Sequence, residues 1–195
     1  MKHLLQIIVT AVLVLYAGVA AAGQWTVDPA HSSITFRVKH IYSTVSGHFS
    51  DFKADIAFDP DNLDKSRFDF SVQVDSINTY IGKRDRHLRS DDFFHADEYP
   101  VMTFESGRIV HKQGGIYTVE GTMTVKEVSK DISVDFTFYG PKPNPMDKEK
   151  LVAGFETSFS IDRLEYNVGD GKFHSMGIVG NKVEVLISVE ALADQ

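Results

Sequence analysis

The sequence predicts an all-β fold: an extended eight-stranded antiparallel barrel with one or two short helices between its third and fourth strands. Three observations carry this expectation. Apolar and polar residues alternate with a period of two in eight separate stretches, turn chemistry separates the stretches, and one segment, residues 80–95, breaks the alternation with good helix formers. Side chains of a strand point alternately to its two faces, so each stretch has one apolar face. Such strands can stack as a sandwich or close as a barrel, and closure alone removes edge strands altogether, which favours the barrel.

In chain order, Trp25 opens the pattern and Ile34, Phe36 and Val38 face away from Thr35, Arg37 and Lys39. Phe52, Ala54, Ile56 and Phe58 follow, then Phe68, Phe70, Val72 and Val74, then Met102 and Phe104. Tyr117, Val119, Met123 and Val125 form the fifth face, and Ile132, Val134, Phe136 and Phe138 the sixth. Leu151, Ala153, Phe155, Phe159 and Ile161 precede the last, Val183, Val185, Ile187 and Val189. Asp59-Pro60-Asp61-Asn62, Gln113-Gly114-Gly115 and Gly169-Asp170-Gly171 supply turn residues between these runs, so neighbours connect as hairpins. Gly140 to Lys150 reads as a long flexible loop. The phase changes between Phe49 and Phe52 and between Val74 and Ile77 predict a bulge or bend near Ser50 and near Asp75. Within 80–95, Ile81, Leu88 and Phe94 are left to contact the barrel, and Pro100 restarts the extended chain.

Residues 1–22 read as a cleaved secretory signal: Lys2 and His3, an apolar run from Leu4 to Val19, then Ala20-Ala21-Ala22. The run is short for a bilayer core of roughly 30 Å, and no second run is long enough to cross one, so no stable membrane insertion is expected. Residues 23–195 form a single domain, and the expected location is a periplasm. Lys and Arg total 20 against 27 Asp and Glu, a net charge of -7, which disfavours nucleic acid as a partner. The absence of Cys excludes disulfides, thiolate metal sites and thiol catalysis.

Alternation cannot say whether the interior is filled by its own side chains or holds a guest. Small residues on the inward set, Ala54, Gly121, Ala153 and Thr157, would leave volume if no larger neighbour leaned across. A strand of about 11 residues tilted by ~40° gives a barrel nearly 28 Å tall, comparable to a lipid tail. Such a guest must be mainly hydrocarbon, with each buried methylene contributing ~0.8 kcal/mol.

Several strings resemble the YceI-like family of periplasmic, lipocalin-like proteins that bind polyisoprenoids and related amphiphiles: residues 25–32 (WTVDPAHS), 84–94 (RDRHLRSDDFF), 99–106 (YPVMTFES) and 159–163 (FSIDR). The resemblance spans Trp25 to Ala191. It implies an extended lipocalin-like barrel whose tunnel takes an isoprenoid, quinone or fatty-acyl lipid as ligand, commonly as a homodimer, with no other cofactor. Two positions depart from the family pattern: Glu127 stands in a turn where Gly is usual, and Tyr166-Asn167 where Phe-Gly is common.

The expected tunnel wall is Phe36, Ile56, Phe58, Phe70, Val72, Phe104, Val119, Met123, Phe136, Phe138, Phe155 and Phe159. Tyr80, Arg84 and Arg86, within a basic cluster, are candidates for a phosphate or carboxylate head group, against the reading that they pair with nearby Asp and Glu. His87, Asp91 and His95 share a stripe only if one helix runs through them, and no metal site is expected. Motifs of nucleophile elbows, zinc hydrolases, P-loops and dinucleotide sites are missing, and no catalytic residue is assigned. A lipid carrier is therefore the leading expectation. An enzyme using the cavity (a hydrolase or isomerase) and a packed barrel acting through a protein partner are the alternatives.

Overall fold

The alternating stretches become strands whose apolar faces turn inward, and the computed structural model describes residues 23–195 of the chain. The leader expected over residues 1–22 lies outside them. In order come β1 (Gln24–Val27), β2 (Ser33–His40), β3 (Ser43–Phe49), β4 (Phe52–Ala57), β5 (Arg67–Gln73), β6 (Ile77–Asn78) and α1 (Gly82–Arg89). There follow β7 (Val101–Gln113), β8 (Ile116–Val125), β9 (Val128–Pro143), β10 (Lys150–Asp162), α2 (Lys172–Ser175) and β11 (Val179–Asp194).

The first six strands are three bent pairs. β2 and β1 bind successive stretches of β11, with Ile34 opposite Ile187 and Thr26 opposite Leu192. β3 and β4 line β2 and β1, and β6 and β5 line β3 and β4. Counted this way, eight antiparallel strands close into one barrel in sequence order, because β11 meets both β10 and the β1/β2 pair. The bends fall where the apolar phase slips: at Ser50-Asp51, and at a one-turn 3-10 helix over Val74–Ser76. Each lets a long strand turn while keeping its apolar face inward.

Two stretches differ from expectation. β3 carries no strong alternation because its inward position Gly47 is empty: a Cβ there would stand 2.5 Å from Phe36 Cζ and 2.8 Å from Thr79 Cγ2. The expected loop from Gly140 to Lys150 is shorter, since β9 runs through Pro143 opposite Leu151 and only residues 144–149 turn. The register skips between Val152 and Gly154, beside Gly140 and Pro141, which is where a ladder tolerates a residue with no N–H.

One end of the barrel is packed solid. Phe58 sits at its centre, 2% exposed, with ring centroids of Phe138 at 4.9 Å, Tyr117 at 5.2 Å, Phe68 and Phe155 at 5.6 Å and Phe136 at 5.7 Å, mostly edge to face. Trp25 closes this end, its indole N–H donating to the Phe58 carbonyl at 3.0 Å. At the other end α1 and the following turn bring Leu88, Phe93 and Phe94 over the interior. The approach to α1 is fixed by buried Asp85, which accepts from the Thr79 amide at 2.8 Å and from its hydroxyl at 2.5 Å.

The link between β1 and β2 is tied to β11. The Asp28 amide donates to the Glu190 carbonyl at 2.8 Å, and His31 Nδ1 lies 2.8 Å from Asp28 Oδ2. The hydrogen bond from Asp28 holds the His31 imidazole above its ordinary 6.5, and the same bond holds the Asp28 carboxyl below its ordinary 3.8. The His31 share of this stabilisation is present below pH 6.5 and lost as pH rises through the raised value. The Asp28 share is present above pH 3.8 and lost as pH falls through the lowered one. His31 is exposed and Asp28 only partly buried, so solvent screening keeps the effect on stability small. A proton NMR titration is expected to place His31 above 6.5, and Asp28→Asn to bring it back down. Phe58→Ala is expected to destabilise the fold by about 3–5 kcal/mol, read as a lower urea midpoint, because it empties the centre of the ring cluster.

Candidate ligand cavity

Above the ring cluster the barrel is hollow. A cavity of about 250 Å³ runs from Phe136, Phe155 and Val189, which touch the cluster, to Val38, Val179 and Val183 beside the β2–β3 hairpin. Of the expected wall, Phe36, Phe70, Val72, Phe104, Val119, Met123, Phe136, Phe155 and Phe159 line it. Ile56, Phe58 and Phe138 do not: they belong to the packed end. All twelve share the inward phase, but height along the strand decides whether a neighbouring ring fills the space. The inward face also supplies Ile34, Val185 and Ile187, and α1 with its following turn supplies Leu88, Phe93 and Phe94.

The small inward residues do not account for the hollow. At Gly121 a Cβ would stand 2.6 Å from Phe104 Cζ, so a ring already lies across it, and Ala153 and Ala54 pack with the solid end. Thr157 alone of the four lines the cavity. The space arises because the strands outrun the side chains that fill them.

Among the lining residues only Thr103, Glu156, Thr157, Arg163 and Tyr166 are not hydrocarbon-like. Arg163 continues the inward phase of Phe159 and Ile161 by two residues, a signal the sequence reading left unused. It is 5% exposed, with Nε donating to the Gly180 carbonyl at 2.9 Å, Nη1 to that of Val168 at 2.5 Å, and the guanidinium 5.8 Å from the Phe93 ring centroid. Burial pulls its pKa down, opposed by the charge of Asp170, and Nη2 has no partner. Burial likewise pushes the Tyr166 phenol up. These bonds tie the end of β10 to the start of β11.

The expected head-group residues lie outside this cavity. Tyr80 is 77% exposed and stands 5.5 Å from the His48 ring over a shallow depression on the outer surface. Arg84 turns back on Thr79, Nε donating to its hydroxyl at 2.7 Å and Nη2 to its carbonyl at 2.6 Å, and Arg86 is exposed to solvent. Of this cluster Arg84 serves the local fold, because the buried Asp85–Thr79 knot draws it inward along the chain. His87, Asp91 and His95 do not converge either: α1 ends at Arg89, His87 meets Asp92 at 2.9 Å, and His95 meets Glu98 at 3.2 Å. Among the described residues, the His and carboxylate atoms that do gather are those of Asp28, His31 and Glu190, within 4.8 Å of one another on the surface.

The two departures from the family pattern meet one another. Asn167 adopts a left-handed conformation, φ 55°, at the end of the 3-10 helix Arg163–Tyr166, a backbone that Asn tolerates nearly as Gly does. Its side chain donates to Glu127 Oε1 at 2.6 Å, and this bond holds the Glu127 carboxyl below its ordinary range. The tight β8–β9 turn places its positive φ on Lys126, at 53°, so Glu127 needs no Gly-like backbone.

The YceI-like domain profile matches residues 25–191. A UPF0312 protein of Yersinia enterocolitica is 31% identical over 194 residues, 98% of this chain and 97% of its own, and one of Vibrio parahaemolyticus is 33% identical over 152 residues, 76% and 79%. Among solved structures, BcnA of Burkholderia cenocepacia superimposes with a TM-score of 0.77 at 25% identity, over 85% of this chain and 99% of its own. The YceI protein of Campylobacter jejuni gives 0.69 at 31%, over 80% and 90%. A polyisoprenoid binding domain from Saccharophagus degradans shares the fold, with 0.63 at 14% over 89% and 99%. With its closed antiparallel barrel, the domain match over residues 25–191 and a relative 31% identical over 98% of its length, the chain belongs to the YceI-like family.

Proposed function

We propose that this chain encloses the hydrocarbon tail of a long-chain amphiphile, an isoprenoid or fatty-acyl lipid with quinones inside that class, and carries it through the periplasm. The observation that carries the reading is the cavity: hollow, walled by Phe, Val, Ile and Met, and closed at its far end by packed rings. An apolar pocket of this kind gains from a guest in proportion to the surface removed from water. The polyisoprenoid-binding description of the Saccharophagus domain supports the same ligand class through shared fold. The leader-like residues 1–22 support a place outside the cytoplasm. Among the described residues no helix is long and apolar enough to cross a membrane.

Binding is favoured over catalysis because none of the His–carboxylate pairs, His31–Asp28, His87–Asp92 and His95–Glu98, is among the residues that line the cavity. General acid–base chemistry needs an acid or base positioned within reach of the substrate, and His is the side chain that most often supplies it.

Native mass spectrometry of the gently purified chain is expected to show a stoichiometric lipid. Chemical turnover of added lipid would instead favour an enzyme, and an empty chain that refuses lipid would favour a partner-binding role. Across a series of saturated fatty acids, calorimetric Kd is expected to tighten by about fourfold per added methylene until the cavity is full. Phe159→Asp is expected to abolish retention while Phe159→Leu keeps it, with circular dichroism confirming that both are folded. Equal retention by both would overturn the assignment of this wall.

A further inference from the structure

β9 and β10 are neighbours around the barrel, yet they pair over only part of their length. Their ladder ends at Glu156 opposite Thr137, although β10 continues to Asp162 and β9 extends back to Val128. Each keeps its other neighbour throughout: β9 stays paired to β8 as far as Val128, and β10 to β11 as far as Asp162. Among the described residues no ladder pairing joins the two facing edges beyond this point.

The cavity reaches this seam from inside. Ile132, Val134 and Phe136 line it from β9, and Thr157, Phe159 and Ile161 from β10. Ile132, Phe159 and Ile161 point inward and are nonetheless only half-buried, whereas Phe136 and Phe155, in the paired part, are buried.

Side chains alone bridge the gap. At the lower end the Thr157 hydroxyl donates to the Asp135 carbonyl at 2.7 Å. At the upper end Lys130 Nζ meets Glu165 Oε2 at 2.7 Å and stands 5.5 Å from the Tyr166 ring centroid. Beyond it, Asn167 donates to Glu127 at 2.6 Å, and Lys126 Nζ donates to the Asn167 carbonyl at 2.9 Å. These polar contacts are solvent-exposed, each weak and quickly remade, and at the upper end they lie over a buried apolar cluster of Tyr166 and Val168 with Val125 and Val128. Breaking them and parting this one cluster opens a side door while the remaining ladders stay intact.

We infer that the unpaired seam between β9 and β10 is the entrance through which the tail passes into the cavity, with Lys130–Glu165 and Glu127–Asn167 as its latch. The inference rests on the proposed binding of a long-chain amphiphile and adds where that ligand enters and what holds it in. A door along the side suits such a guest, since the tail can be laid in edge-on rather than threaded lengthwise past α1.

Continuing the ladder register would set Ser133 opposite Ser160, both exposed, outward-facing and small. The chain has no Cys, so Ser133→Cys with Ser160→Cys gives one defined pair that a short bismaleimide can tie whatever the width of the gap. Thr124→Cys with Ser129→Cys, on hydroxyls 2.8 Å apart across a paired part of β8–β9, is the control. The probe is a long-chain fluorescent fatty acid, followed by stopped flow, with the uncross-linked double variant as its own reference for folding and affinity.

Tying the seam is expected to slow uptake and release by about tenfold or more, while the control tie leaves both unchanged. Lys130→Ala with Glu127→Ala is expected to speed both rates and to change Kd much less than either. Wild-type uptake with an unaltered rate in the mass-verified cross-linked chain would overturn the side entrance while leaving the binding reading standing. A wild-type chain that takes up no probe at all would sink both.

Discussion

The ring cluster around Phe58 turns a tube into a pocket. A barrel whose inward faces are all apolar could be open at both ends, in which case water would thread it and the apolar wall would be a liability. Five aromatic rings contributed by four different strands close around Phe58, and Trp25 anchors the lid they form by bonding to the Phe58 carbonyl. Edge-to-face packing lets these rings fill space at interior density without large cavities between them. Everything above the cluster is therefore a blind apolar space, and a space whose wall offers water almost no hydrogen-bond partners gains most from hydrocarbon.

The sequence made the faces of the strands legible but not their heights. Phe136 and Phe138 sit on the same face of β9, two residues apart, yet one reaches the cavity and the other is wholly within the solid end. Period-two alternation carries no information on that difference, because it depends on which rings arrive from strands distant in the chain. The bends at Ser50 and Asp75 were legible because a phase slip is local. β3 was not, since its inward position is a Gly whose reason lies in Phe36, on a neighbouring strand.

Charged groups were misleading for a related reason. The density of Arg and Lys around α1 suggested a head-group site, but the buried Asp85 captures Thr79, Thr79 captures Arg84, and Arg84 is thereby spent on fixing the start of the helix while Arg86 stays in solvent. Arg163 carried the better signal, an inward-phase cation after two inward apolar residues. A buried guanidinium is costly unless its donors are met, and here two are met by the carbonyls of Gly180 and Val168. It serves as a cross-brace between β10 and β11, so one rim of the seam is rigid and movement is left to the other.

That asymmetry bears on how a closed barrel can exchange a guest at all. Opening a paired seam would expose a whole row of backbone donors and acceptors together, each bond contributing about 0.5–1.5 kcal/mol net. A seam already free of those bonds leaves its edges to water, which satisfies them in the closed and open states alike. What separates the two states is then a few exposed side-chain contacts, each on the order of 0–1 kcal/mol, and the small apolar cluster of Tyr166 and Val168 with Val125 and Val128 at the upper end. The barrel keeps its stability in the Phe58 cluster and in the ladders that remain complete, and concentrates its freedom of movement along one line. Glu127 and Asn167, two of the three residues that depart from the family pattern, both lie on that line, so this chain has set the strength of its closure independently of the fold that carries it.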